Sequence, residues 1–223
     1  MTELDRYLGW WRAGEDFFAS TLEQVPEANL IAPSLLQGWS RQTLLAHVGL
    51  NADALANLLT WARTGVETPM YASPEARNAD IEQVAALPAS EVVARYGASR
   101  ARFTAAVESL PDEAWESPVR TAQGREVPAA QVAWMRVREV WIHAVDLAAS
   151  AQFADLPTDL GEALLDDVTG WWQRRDGDTA PTLSSVERSW GAGPAKVRGS
   201  LAELLGWATG RVIGDREPSP RWI

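Results

Sequence analysis

Two histidines occur in the 223 residues, His47 and His143. Glu139 stands four positions before His143 in the stretch REVWIHAVDL, so on a helix the two side chains leave one face about a turn apart. Two imidazoles and one carboxylate form a ligand set found at catalytic zinc, and three protein ligands leave at least one coordination position open. A dication held this way keeps net positive charge, enough to bind and acidify a thiol or a water. Spacing alone also allows plainer readings. A Glu and a His four apart are common as a helix-surface pair, and a histidine on a mostly apolar helix is commonly a satisfied core residue. The chain has no cysteine, which excludes disulfides, cysteine zinc sites and a protein thiol nucleophile.

These residues need helices to position them, and the sequence supplies helical patterns. Leu4, Leu8, Trp11, Phe18 and Leu22 recur at helical spacing over 3–24, with Pro26 as a stop. Ser40 is placed to cap a second helix that carries His47 and runs to Thr64, where Gly65 fits its end. Its apolar stripe is Leu44, Val48, Leu55, Leu58 and Leu59. Short helical patterns occupy 75–86, and a longer helix spans 90–109. The stretch WESPVRTAQGREVPAA reads as a loop or small hairpin about Gln123-Gly124. Pro128 then opens a long helix that carries Glu139 and His143 and runs to Ser150. Four long amphipathic helices predict a four-helix bundle, whose inward faces commonly build metal sites.

The remainder has a different character. Residues 159–174 look helical, SSVERSW (184–190) alternates as one strand, and AKVRG suits another. Ser200 and Glu203 form a capping box that opens a last helix to Thr209, with Gly210 beyond it. The expected organisation is a bundle over 1–153 and a small α/β domain over 154–223, mainly α in total.

Several function classes are disfavoured. The formal net charge is −10, and the longest basic cluster is the pair Arg174-Arg175, so no basic stripe suggests nucleic acid. No apolar run is long enough for a membrane span, and the N-terminus lacks the pattern of a signal peptide, which predicts a cytoplasmic protein.

The stretches LLQGWSRQTLLAHV (35–48), ETPMYASPEARNADI (67–81), TAQGREVPA (121–129), WMRVREVWIHAVDL (134–147), GSLAELLGWATGR (199–211) and the end PSPRWI resemble the mycothiol-dependent maleylpyruvate isomerases. Among them GWS, AHV and REVWIHAVDL are shared with the wider DinB-like, mycothiol-linked metalloproteins, while TPMYASPEARN and TAQGREVP look specific to the isomerase branch. The resemblance implies a DinB-like four-helix bundle with a small α/β domain after it, a monomer, zinc on His47, Glu139 and His143, and mycothiol as cofactor. It also implies conversion of maleylpyruvate, a small dicarboxylate, to fumarylpyruvate in gentisate catabolism. It places a functionally important arginine at Arg211, which, taken alone, is equally a cation facing a helix C-terminus. Tyr71, Arg77, Arg120 and Gln123 lie in the isomerase-like loops and are candidates to line the substrate or mycothiol pocket. Other readings stay open: a mycothiol S-transferase of the same superfamily, a non-catalytic metal-binding module, and a zinc hydrolase, for which the sequence lacks the H-E-x-x-H base.

Overall fold

The computed structural model describes residues 1–211 and 218–220, with the side chain of Asp178 outside the description. The similar end PSPRWI therefore lies partly beyond the described residues. Two compact units divide the chain, Met1–Ser150 and Ala151–Ile223.

In the first unit, α1 (Glu3–Glu23) starts at a capping box in which Thr2 and Asp5 satisfy each other's backbone N–H groups. Its deepest stripe runs through Tyr7, Trp11, Gly14, Phe18 and Thr21, which leaves the expected Leu4, Leu8 and Leu22 only half-buried. Gly14 sets the approach to the neighbouring helix, since a Cβ there would fall 2.5 Å from the Trp141 indole nitrogen. That nitrogen donates to the Trp10 carbonyl at 2.8 Å. The second helix, α2 (Arg41–Thr64), is capped by Ser40 and ends at Gly65, whose φ of 71° is a left-handed conformation natural to glycine. All five residues of its expected stripe are buried, and burial extends around most of the helix. α3 (Pro74–Ala85) starts at the Ser73 cap, and α4 (Ala89–Glu108) follows it. A hairpin of β1 (Pro118–Arg120) and β2 (Glu126–Pro128) tucks Val119 and Val127 inward, and leads into α5 (Ala130–Asp146). α2 packs against α4 and α5, and α1 against α5, so a four-helix bundle is built from α1, α2, α4 and α5, with α3 laid on α2.

Both ends of the last bundle helix differ from expectation. Pro128 pairs with Pro118 at the end of β2 instead of opening the helix. A strand terminus tolerates proline because no ladder N–H is needed there. The helix also stops at Asp146, not Ser150, because Ala148 takes a φ of 51° and Arg41 of α2 captures the terminal carbonyls. Its Nε donates to Leu147 O at 2.6 Å and its Nη2 to Ala148 O at 2.7 Å. Carbonyls at a helix end need such partners.

The second unit joins α6 (Thr158–Asp176) and α7 (Leu201–Ala208) to a small sheet. Its order is β4 (Ser189–Trp190), β3 (Thr182–Ser184), β5 (Lys196–Arg198), with β3 antiparallel to β4 and parallel to β5. The expected single strand over 184–190 is broken by a turn. Ser185 Oγ accepts the backbone N–H groups of Glu187 and Arg188, a local alternative to the ladder, and Val186 is fully exposed. Trp172 and Trp207 meet edge to face at 5.8 Å in the core. The Ser200–Glu203 capping box forms as expected. No described helix is long and apolar enough to cross a membrane.

Candidate metal centre

His47 sits inside α2, and Glu139 and His143 lie one turn apart on α5. Packing of α2 on α5 brings the three together, with one ligand atom of each within 4.8 Å of the others. Glu139 Oε2 stands 3.1 Å from His47 Nε2 and 3.3 Å from His143 Nε2. The imidazoles are buried, their rings at 84° and 5.1 Å between centres. Glu139 Oε2 is buried with no hydrogen-bond partner of proper geometry. A buried carboxylate oxygen between two imidazole nitrogens, without a hydrogen bond, is a donor set suited to a cation. These three residues could hold a metal ion.

The surroundings orient the two rings differently. His143 Nδ1 donates to the fully buried Asp146 at 2.7 Å. Because the acceptor is a carboxylate, that contact keeps the proton on Nδ1 and turns Nε2 toward Glu139. Behind His47, the Arg77 guanidinium lies 3.2 Å from Nδ1, and the Trp39 ring meets the imidazole edge at 5.4 Å.

Charge follows from these contacts. Burial by itself would raise Glu139, but His47 and His143 outweigh it and hold the carboxyl well below the usual carboxylate range. Burial lowers His47, and the attraction of Glu139 does not offset it. For His143 burial also pulls downward, but the hydrogen bond to Asp146 and the charge of Glu139 prevail and raise it. Burial raises the Tyr71 phenol, with Glu139 adding to the effect.

One turn from the cluster along both helices lies a buried ionic layer. Arg136, three residues before Glu139, donates to Glu15 at 2.7 Å, to Val48 O at 2.7 Å and to Asn51 Oδ1 at 3.1 Å. Asn51 lies four residues after His47, so a line of polar contacts runs from Glu15 through Arg136 to α2 one turn from the cluster.

Among the loop candidates, Tyr71 and Arg77 are brought to the cluster, with the guanidinium 5.7 Å from the centre of the Tyr71 ring. Arg120 instead extends from β1 toward Glu67 at 3.7 Å, and Gln123 is exposed in the hairpin turn. Arg211 follows α7 in the second unit, its backbone N–H on Gly206 O at 2.8 Å and its guanidinium on Thr209 O. Sequence reasoning did not single out Asp146, Trp39, Asn51 or Arg136. Asp146 carried a usable signal, a carboxylate three residues after a histidine on the same helical face. Trp39, in a loop, carried none.

Residues 11–148 match the mycothiol maleylpyruvate isomerase N-terminal domain. A crystal structure of a mycothiol-dependent maleylpyruvate isomerase superposes with a TM-score of 0.93 at 39% identity, over 99% of this chain and 98% of that one. The chain belongs to the mycothiol-dependent maleylpyruvate isomerase family. A crystal structure of a mycothiol-dependent maleylpyruvate isomerase with one histidine changed to alanine gives a TM-score of 0.93 at 38% identity over the same shares of both chains. No curated protein sequence matches. The bundle and the small α/β unit are thus the DinB-like architecture of this isomerase family, as the sequence motifs implied.

Proposed function

We propose that the chain isomerises maleylpyruvate to fumarylpyruvate with mycothiol as cofactor and zinc on His47, Glu139 and His143, as a cytoplasmic step of gentisate degradation. The observation that carries this reading is the convergence of that ligand set inside a chain that matches a mycothiol-dependent maleylpyruvate isomerase along 99% of its length.

The reaction requires a cis double bond conjugated to a carbonyl to become single briefly, rotate and re-form. When bound, zinc would acidify the mycothiol thiol, whose reversible addition and elimination allow that rotation. The chain's own residues do the rest. Two neutral imidazoles and the Glu139 carboxylate would offset only one of the two charges of a bound dication, so a loaded site would stay net positive toward a thiolate and an anionic substrate. Asp146 holds the His143 ring so that Nε2 stays directed at Glu139. Trp39 and the packed faces of α2 and α5 limit water around His47. Arg211 is assigned to a substrate carboxylate, which a guanidinium binds through two parallel hydrogen bonds. Because the chain lacks cysteine, the thiol must come from outside it.

Turnover of maleylpyruvate by zinc-loaded protein, with and without mycothiol, tests this directly. Fumarylpyruvate forming only when both are present is the expected result. A product that retains sulfur would make the chain an S-transferase, and no turnover with both present would remove the isomerase reading.

Two further outcomes follow from the ring contacts. Asp146→Asn is expected to weaken zinc binding about 10- to 100-fold, the usual effect of losing the partner behind a metal-ligating histidine. Competition with a chromogenic chelator measures it, and an unchanged affinity would show that Asp146 serves only packing. Zinc affinity is also expected to fall with acid from an unusually high pH. His143 binds its proton above the ordinary imidazole range, so that proton competes with the metal once pH drops through the raised value. Below it, affinity falls about tenfold per pH unit for each proton displaced. The same competition repeated from about pH 8 to about pH 5.5 reads the slope. A flat profile over that range would contradict the assignment.

A further inference from the structure

Arg77 stands behind His47, on the ring nitrogen that faces away from Glu139. A guanidinium has only donors, so the 3.2 Å contact from Arg77 Nη2 asks His47 Nδ1 to accept. His143 has the opposite arrangement, with its proton on Nδ1 and Asp146 accepting it. For His47 to offer Nε2 to a cation, its proton must stand on Nδ1, and there it would meet the N–H of Arg77, donor against donor. A histidine bound to metal normally donates its second N–H to an acceptor. A metal ion on His47 Nε2 and the Arg77 donor on Nδ1 therefore disfavour each other, and the cation's own charge adds repulsion.

The Arg77 guanidinium has no carboxylate partner among the described residues. Among the described residues, Arg77 meets His47, Asn78 Oδ1 at 3.1 Å and the Tyr71 ring. Arg100, Arg102, Arg120 and Arg136 of the bundle pair with a carboxylate, and the half-buried Arg41 is occupied by backbone carbonyls. In a chain with 30 acidic and 20 basic residues, a half-buried arginine at the metal cluster without an acid is a prepared place for an anion.

We infer that Arg77 is a carboxylate-binding residue of the bundle, held beside the metal cluster where an anionic substrate would meet it. The inference rests on the isomerase reading for the substrate's identity, a dicarboxylate, and on geometry for the site. Arginine grips a carboxylate bidentately, and loss of such charge-assisted bonds weakens binding about 10- to 100-fold. Arg211, in the other unit, is a separate assignment.

The probe is maleate, a cis-dicarboxylate that cannot be turned over without the thiol, titrated calorimetrically into zinc-loaded protein. Wild type is compared with Arg77→Gln and Arg77→Lys, and zinc affinity is measured in parallel. Arg77→Gln is expected to bind maleate about 10- to 100-fold more weakly while binding zinc several-fold more tightly, because the competing donor is gone. Arg77→Lys keeps the charge and loses the fork, so it should fall between the two. With maleylpyruvate and mycothiol, the loss in Arg77→Gln should appear mainly in KM. Unchanged maleate affinity in Arg77→Gln would overturn the proposal, as would zinc affinity that stays equal or falls. The two readings fail separately. If wild type does not isomerise maleylpyruvate but maleate binding still depends on Arg77, the carboxylate site stands and the reaction falls. If wild type turns over and Arg77→Gln keeps both its KM and its maleate affinity, the reaction stands and the Arg77 site falls.

Discussion

Alanine in place of His47, Glu139 or His143 is expected to abolish zinc binding and turnover together while the bundle stays folded. Each residue supplies one of three converging ligand atoms, so each loss leaves two. A partner behind a ligand is usually worth about 10- to 100-fold in metal affinity or activity, and removing a ligand itself exceeds that range. Glu139→Ala should be the most severe of the three. It removes the anion of the ligand set and leaves two imidazoles with the Arg77 cation behind His47. Folding should persist, because a core of this size does not depend on a metal ion and the ligands sit between well-packed helices. Metal content after gel filtration, turnover and thermal melting separate the possibilities. Wild-type zinc and turnover in any of the three variants would dismiss the assigned ligand set. Collapse of the fold on chelating the wild-type metal would make the site structural.

Arg136→Met is expected to cost about 3–5 kcal/mol of stability, the range for removing one partner of a buried ion pair. Arg136 is fully buried, and its 2.7 Å bond to Glu15 is reinforced by Val48 O and Asn51. Without it, Glu15 remains 2% exposed, with Trp11 Nε1 at 3.3 Å and the Arg100 guanidinium at 3.3 Å as its remaining partners. A native domain has only about 5–15 kcal/mol in total, so the variant should unfold at much lower urea. Removing both charges as Glu15→Leu with Arg136→Met should recover part of the loss, since the uncompensated carboxylate disappears with its partner. Urea unfolding of the two single variants and the double variant closes the cycle. A loss under about 1 kcal/mol in Arg136→Met would mean that the pair only balances its own desolvation. The layer also reaches the helix of His47, where Arg136 holds Val48 O and Asn51 Oδ1. Arg136→Met should therefore loosen the site as well as the core.

Much of the helical framework was legible because local chemistry marks it. Ser40, Gly65 and the Ser200–Glu203 box announce helix ends through backbone groups that nearby residues satisfy. Where the ending depended on a distant residue, local reading failed. α5 stops at Asp146 because Arg41, more than a hundred positions earlier, takes its terminal carbonyls. The alternation of 184–190 was a weaker guide than the Ser185 hydroxyl, which competes with the ladder and turns the chain. On α1 the expected Trp11 and Phe18 are buried while Leu4, Leu8 and Leu22 are only half-buried, because Gly14 and Thr21 line the buried face as readily as a leucine when the next helix comes close.

By itself the sequence determined the ligand types, the shared face of Glu139 and His143, the absence of an internal thiol and the family motifs, since all of these are local or compositional. Only the tertiary structure decided that α2 turns His47 toward that face and that Asp146 and Arg77 orient the two imidazoles oppositely. It also separated Tyr71 and Arg77, which reach the cluster, from Arg120 and Gln123, which do not. Those four residues looked alike in sequence because spacing along one chain says nothing of which helices pack. Helix packing, set by side chains such as Gly14 and Trp141 far from the ligands, chooses among them.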